Sequence, residues 1–231
     1  MSRLIAILIR HADYNQLADT PSAHQPFGLN DAGRKQARKA IDLLNQVLQT
    51  HNAVYDPVID SSHLLRSWQT ADVIAQGISS IDKVVAYNSL AERGLGNAGN
   101  LTVQQIEAAI NEDPRYETLP KDWKSNSHYC LPFSGAESLL DAGTRVANHL
   151  KQAMQKLDRS TAEHDTVKIF VGHGAAFRHA AYHLGILKFE EIAKLSMFHA
   201  KPLAFSIQTD GTWQHIAGEW KVRTLINDHL D

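Results

Sequence analysis

Apolar residues follow two rhythms along this chain. Leu4 to Ile9 is an unbroken run, and "TVKIFVG", Thr166 to Gly172, is a second. Runs this short, without polar alternation, predict strands buried on both faces of a parallel sheet. Elsewhere the spacing turns to three and four. Ala37, Ile41, Leu44 and Leu48 give one apolar face to a helix predicted from a cap at Asn30 to about Thr50. "PVIDSS" predicts a strand from Pro57 to Asp60. Ser62 can then cap a second helix, in which Leu64, Trp68 and Ala71 share a side and Gly77 lies near the end. "KVVAY", Lys83 to Tyr87, reads as a third strand. From Glu92 to Gly135 the pattern loosens between Pro114, Pro120 and Pro132, and only "TVQQIEAAI" is helical, with Thr102 as cap. A helix from about Glu137 to Leu157 restores order, and Asp210-Gly211 marks a hairpin inside "LAFSIQTDGTWQHIA".

Alternating strands and helices imply a three-layer α/β/α sandwich with a mostly parallel central sheet. The expected organisation is one domain over 1–231, with 93–135 as a lid insertion. In such folds ligands bind beyond the carboxyl ends of the strands. Both apolar runs end at a histidine, His11 and His173.

Composition narrows the function classes. The 231 residues carry 23 Lys and Arg against 25 Asp and Glu, so no bulk field argues for nucleic acid or an anionic membrane as partner. The single cysteine, Cys130, excludes an internal disulfide and suits a reducing compartment. The first apolar run is too short for a signal peptide, and no stretch is long enough to span a bilayer. The expectation is a cytoplasmic protein.

Four places can carry chemistry. Arg10 and His11 end a buried strand, where unpaired charge is costly without a partner or ligand. Arg66 falls in the first turn of the second helix, where free N–H groups and a guanidinium fork suit phosphate oxygens. Gly172 and Gly174 flank His173 at a strand-to-helix handover, so backbone N–H groups can point at a ligand. His179 and His183 have metal-ligand spacing, but Ala180 stands where a metalloprotease needs glutamate and no cysteine cluster supports zinc, so no metal site is expected. "GLGNAG", Gly94 to Gly99, satisfies a dinucleotide fingerprint only literally, because "NSLAER" separates it from the strand before it. It reads instead as a turn bringing Glu92 and Arg93 toward the site.

"LIRHADYN", "SSHLLRSWQTA", "LAERGLG", "SGAES" and "IFVGHG" occur in order from about Leu4 to His183. Together they resemble the histidine phosphatase superfamily, the phosphoglycerate-mutase-like fold. The resemblance implies that His11 is a nucleophile that becomes phosphohistidine. It implies that Arg10, Arg66 and His173 form the phosphate pocket, and that Glu92 is the general acid and base. Gly174 and Asn15 are further candidate phosphate contacts. A neutral imidazole is a good nucleophile near neutral pH, and a covalent intermediate divides one hard displacement into two. Fixed cations stabilise the phosphoryl charge, so neither metal nor other cofactor is expected. Glu92 must hold a proton when substrate is bound. Ala12, Asp13 and Tyr14 depart from the mutase pattern of glycine and glutamate-serine, and Asp13 is a second candidate for the proton donor.

Between Gly94 and Ser134 the bases are Arg115, Lys121 and Lys124, against Glu107, Glu112, Asp113, Glu117 and Asp122. That balance is poor for a bisphosphate, so the reading is a phosphomonoester hydrolase acting on a small-molecule or protein phosphate ester. Trp123, Tyr129 and Phe133 either line a specificity pocket or pack the lid down. The alternatives are a phosphoglycerate-type mutase on the same site and a catalytically idle phosphate-binding protein; a metal hydrolase built on His173, His179 and His183 ranks last. Substrate and oligomeric state stay open.

Overall fold

The computed structural model describes residues 2–157 and 164–223. Its centre is β1 (Leu4–Arg10), every residue of which is buried. β1 pairs in parallel with β5 (Asp165–Gly172) and antiparallel with β7 (Pro202–Ile207). Beyond β5 lie β3 (Val58–Ser62) and β4 (Lys83–Tyr87), both parallel, and β2 (Ala53–Tyr55) adds a short parallel pairing to β5. β8 (Trp213–Ala217) closes the other edge against β7 through the turn at Gly211 (φ +87°), so the Asp210-Gly211 hairpin completes the sheet.

Side chains alternate across a strand, and β1 divides them cleanly. Ile5, Ile7 and Ile9 face α1 (Asp31–His51) and α2 (Leu65–Gly77), packing with Ala37, Leu44, Ala71 and Ile74. Leu4, Ala6 and Leu8 face α4 (Leu139–Gln155) and α5 (Gly174–His183), packing with Val146, Leu150, Phe177 and Ala180. These are the two outer layers of the expected sandwich. Lys168, inside the second apolar run, is buried but bonded: its Nζ lies 3.0 Å from both Asp56 Oδ1 and Asp60 Oδ1. His149 of α4 joins this network through Asp60 Oδ2 at 2.9 Å.

Residues 93–135 leave the sheet and return to it at one point, where Leu95 bridges Ala136 and Glu137 N–H donates to the Gly94 carbonyl. The excursion holds α3 (Val103–Glu112), started by the Thr102 hydroxyl capping Gln105 N–H. It has its own apolar cluster of Leu95, Ile106, Ile110, Trp123 and Leu131, joined by Ala23. Trp123 is 1 % exposed and donates to Glu107, so it packs this cluster, and Tyr129 and Phe133 pack around it. A short helix α6 (Phe189–Ile192) and the pair β6 (Leu195–Ser196) with β9 (Lys221–Val222) lie outside the main sheet. Among the described residues no helix is long and apolar enough to cross a membrane.

Two local expectations are corrected. Ser62 does not cap α2; its hydroxyl accepts from Leu64 N–H and meets His173, and Leu64 holds the cap position without a side-chain bond. Trp68 is exposed, and the buried face of α2 is instead Arg66, Ser67, Thr70, Ala71 and Ile74. The helix buries polar groups because it packs beside the site, not only over the sheet.

Candidate active site

Parallel register sets the first distance. Arg10 pairs with Gly172, so the next residue of each strand, His11 and His173, stands at the same height. Their ring centroids are 5.1 Å apart, close to the spacing of neighbouring strands. His11 N–H donates to the Gly172 carbonyl at 2.8 Å, which extends the pairing past the strand end. Arg66 follows β3 at the start of α2, and Glu92 follows β4 through a 3₁₀ turn at Asn88–Leu90. All four side chains therefore come from the carboxyl ends of parallel strands.

The imidazole of His11 is oriented by its own chain. Nδ1 lies 2.8 Å from the Ala12 carbonyl, which can only accept, so Nδ1 carries the proton and Nε2 keeps its lone pair. Burial, then the charges of Arg66, His173, Arg10 and His199, holds the His11 pKa well below its ordinary value. The ring is neutral at physiological pH.

His173 is equally determined. Arg66 Nη2 donates to its Nδ1 at 3.2 Å, so Nε2–H donates to Ser62 Oγ at 2.8 Å. Arg66 also donates to the carbonyls of Ala23 and Gln25 and stacks over Tyr14, with its carbon 4.6 Å from the ring centroid. The pair stands beside His11, but its present bonds run to the 11–30 loop and β3 and not to an open fork.

The pocket at His11 is lined by Arg10, His11, Ser22, Glu92, Gly174, Ala175, Arg178 and Ser196. It measures about 10 Å³ and shares Ser22, Glu92, Ala175 and Arg178 with a cavity of about 310 Å³. Arg10 Nη1 donates to the Met197 carbonyl, and Arg178 Nη1 to the Leu195 carbonyl, placing both guanidinium groups at the pocket wall. Gly174 is needed for close approach: a Cβ there would lie 3.1 Å from Arg10 Cδ. Glu92 sits at the N-terminus of α5, accepting from the N–H groups of Ala175, Ala176 and Arg93 at 2.9 to 3.3 Å. An anion at that helix end is favoured by the free N–H groups and the dipole.

Of the sequence candidates, Arg10, His11, Glu92 and Gly174 meet at this pocket, with Arg66 and His173 directly beside His11. Asn15 does not join them; it is exposed, and its N–H bonds the Gly28 carbonyl. Asp13 turns away, its carboxylate accepting from Asn30 Nδ2 and from Tyr14 N–H. His179 bonds the Ala175 carbonyl and Ser127, and His183 meets Thr144 and Leu140, so both tie α5 to its neighbours. Sequence reasoning missed Arg178 and Ser22 on the pocket wall. It also missed Arg145, which donates to the carbonyls of Asn88, Ser89, Ala91 and Glu92 and pairs with Glu137. Arg178 follows His173 by just over one helical turn, a signal that was available; Arg145 is far from Glu92 in sequence and gave none.

Residues 6–216 match the family described as the histidine phosphatase superfamily, branch 1. No curated protein matches the chain. Solved structures share its fold at low identity. Mycobacterial hydrolase 2 aligns with TM-score 0.71 and 18% identity over 99% of this chain and 96% of its own. The mycobacterial glucosyl-3-phosphoglycerate phosphatase aligns with TM-score 0.67 and 20% identity, covering 96% and 98%. The alpha-ribazole phosphatase of Shigella flexneri gives 0.68 and 17%, covering 92% and 95%.

Proposed function

Because the chain belongs to the histidine phosphatase superfamily, we propose that it is a phosphomonoester hydrolase working through a phosphohistidine on His11, without a metal ion. The observation that carries this reading is the bond from His11 Nδ1–H to the Ala12 carbonyl, which leaves a neutral Nε2 lone pair beside Arg10, Arg178 and Glu92. Named phosphatases among the structures of the same fold support it.

In the first step Nε2 attacks phosphorus, forming a P–N bond as the ester P–O bond breaks. Glu92 gives its proton to the departing alkoxide. In the second step water attacks phosphorus, Glu92 takes the water's proton, and inorganic phosphate leaves as Nε2 recovers its lone pair. Arg10 and Arg178 grip the phosphoryl oxygens, and Arg66, bonded to the neutral His173, adds positive charge beside His11. The pocket is tight, so the flanking arginine side chains part to admit the phosphoryl group. The 93–135 excursion acts as a lid over the leaving group.

The test is hydrolysis of p-nitrophenyl phosphate and a wider ester panel in excess EDTA, with His11→Ala as control. The expected result is activity that survives EDTA, vanishes in His11→Ala, and passes through an acid-labile phosphoenzyme. Abolition by EDTA would move the chemistry to a metal. Turnover that requires a bisphosphate primer and transfers phosphate without releasing it would make the enzyme a mutase, and phosphate binding without turnover on any ester would leave a recognition protein.

A further inference from the structure

Between β3, β4 and α4 lies a cavity of about 540 Å³ that shares no lining residue with the pocket at His11 or the cavity beside that pocket. At its base is the network around Lys168. The ammonium has three N–H groups, and three acceptors stand 3.0 Å away: Asp56 Oδ1, Asp60 Oδ1 and the Val58 carbonyl. Asp60 is shared, its Oδ2 accepting from His149 Nε2–H at 2.9 Å. That leaves the other ring nitrogen, Nδ1, for Ser89 Oγ, 2.8 Å away. Tyr87 and Phe170 fix the His149 ring sideways, with centroids 4.6 and 6.1 Å from its own. The network thus runs from β5 to the 3₁₀ turn Asn88–Leu90 and ends three residues before Glu92.

Stability alone does not account for it. A buried ion network is often no more stabilising than apolar side chains of similar volume, and Phe170, two residues beyond Lys168 on β5, is such a side chain. Where the network leads says more. The turn has no side-chain cap of its own, and α4 meets it with Arg145 and His149, four residues apart on one helix face. Arg145 donates to the Ser89 and Ala91 carbonyls at 3.1 Å, and His149 bonds the Ser89 hydroxyl. Ser89 is therefore held at main chain and side chain from the same helix.

We infer that His149 is a positioning residue for the proposed hydrolysis: through Ser89 it sets the turn so that the Glu92 carboxyl meets the leaving oxygen. Asp60 and Lys168 orient the imidazole for that task. None of these side chains touches substrate, and the inference rests on Glu92 being the proton donor. A displaced turn would leave His11 and its arginines in place and misdirect the proton alone.

The leaving group reads this out. An alkoxide needs the proton as the P–O bond breaks, whereas p-nitrophenolate departs without it, and kcat/KM reports that first step. In Ser89→Ala and in His149→Phe, kcat/KM for an alkyl phosphate is expected to fall about tenfold more than that for p-nitrophenyl phosphate. Ser89→Thr keeps the hydroxyl and should restore the wild-type ratio. Gln152→Ala, an exposed change at the same cavity, should leave the ratio where it is. Hydrogen exchange gives a reading independent of turnover: the amides of residues 90–93 should lose protection in Ser89→Ala while the central strands keep theirs. Ser89→Ala also covers the case that His149→Phe fails to fold. An unchanged ester ratio in both variants overturns the inference, whatever the exchange shows, as does an equal loss on both esters with protection lost throughout. A wild type that hydrolyses neither ester sinks the phosphatase reading. Exchange then decides the positioning by itself, and undiminished protection at 90–93 overturns that as well.

Discussion

A buried histidine is a choice between two charges, and His11, His173 and His179 are all pushed toward the neutral one, chiefly by burial, His179 down to about 3. In the unfolded chain each takes up a proton near pH 6.5, so below that pH the unfolded state binds more protons than the folded one. Stability is therefore full above 6.5 and is lost as pH falls, by about 1.4 kcal/mol per pH unit for each such histidine until its folded pKa is reached. Urea midpoints at pH 7.5 and 5.5 should show the loss, and a midpoint that rises at pH 5.5 would contradict it. Activity behaves differently. Because His11 remains neutral well below 6.5, kcat/KM should keep its plateau through that value, and an acid limb centred there would mean the nucleophile is not shielded. Gly174 gives a second residue-scale prediction. Gly174→Ala presses on the Arg10 side chain, and kcat/KM should fall about tenfold with little change in Tm; unchanged kcat/KM would show that Arg10 yields freely.

At the scale of elements, the turn carrying Glu92 has little regular structure and is held by Arg145 from α4. Arg145→Ala removes the donor to the Ser89 and Ala91 carbonyls and to Glu137 Oε2. The expected cost is about 1–3 kcal/mol in stability, with kcat reduced more than KM is raised. A loss confined to stability would make Arg145 structural only. Elements were legible wherever their signal was local. The capped helix at Asn30, the β1 run and the Asp210-Gly211 turn are written in adjacent residues, and each formed as read. The catalytic candidates His11 and His173 were legible because both end apolar runs. What failed was non-local. The three-residue β2 exists only because β5 offers an edge, and Trp68 lost its place in the core to Arg66, whose partners lie in a distant loop.

Taken whole, the molecule joins residues about 160 positions apart into one site, through a sheet whose central strand touches both cores. Ligand bound at the site should then stabilise the fold as a unit. Inorganic phosphate at a hundred times its Kd is expected to add about 2.7 kcal/mol, seen as a rise in Tm of a single calorimetric transition. Two transitions, only one of them shifted, would show the 93–135 segment unfolding by itself.

The meeting of Leu95 with Ala136 carries a consequence of another kind. A detour that starts and finishes one hydrogen bond apart can be shortened, lengthened or exchanged with little disturbance to the sheet beneath it, because the loop-closure cost changes slowly with length. The chain thus comes as chassis and cassette. An engineer seeking a new substrate would graft at those two positions and leave the histidines alone.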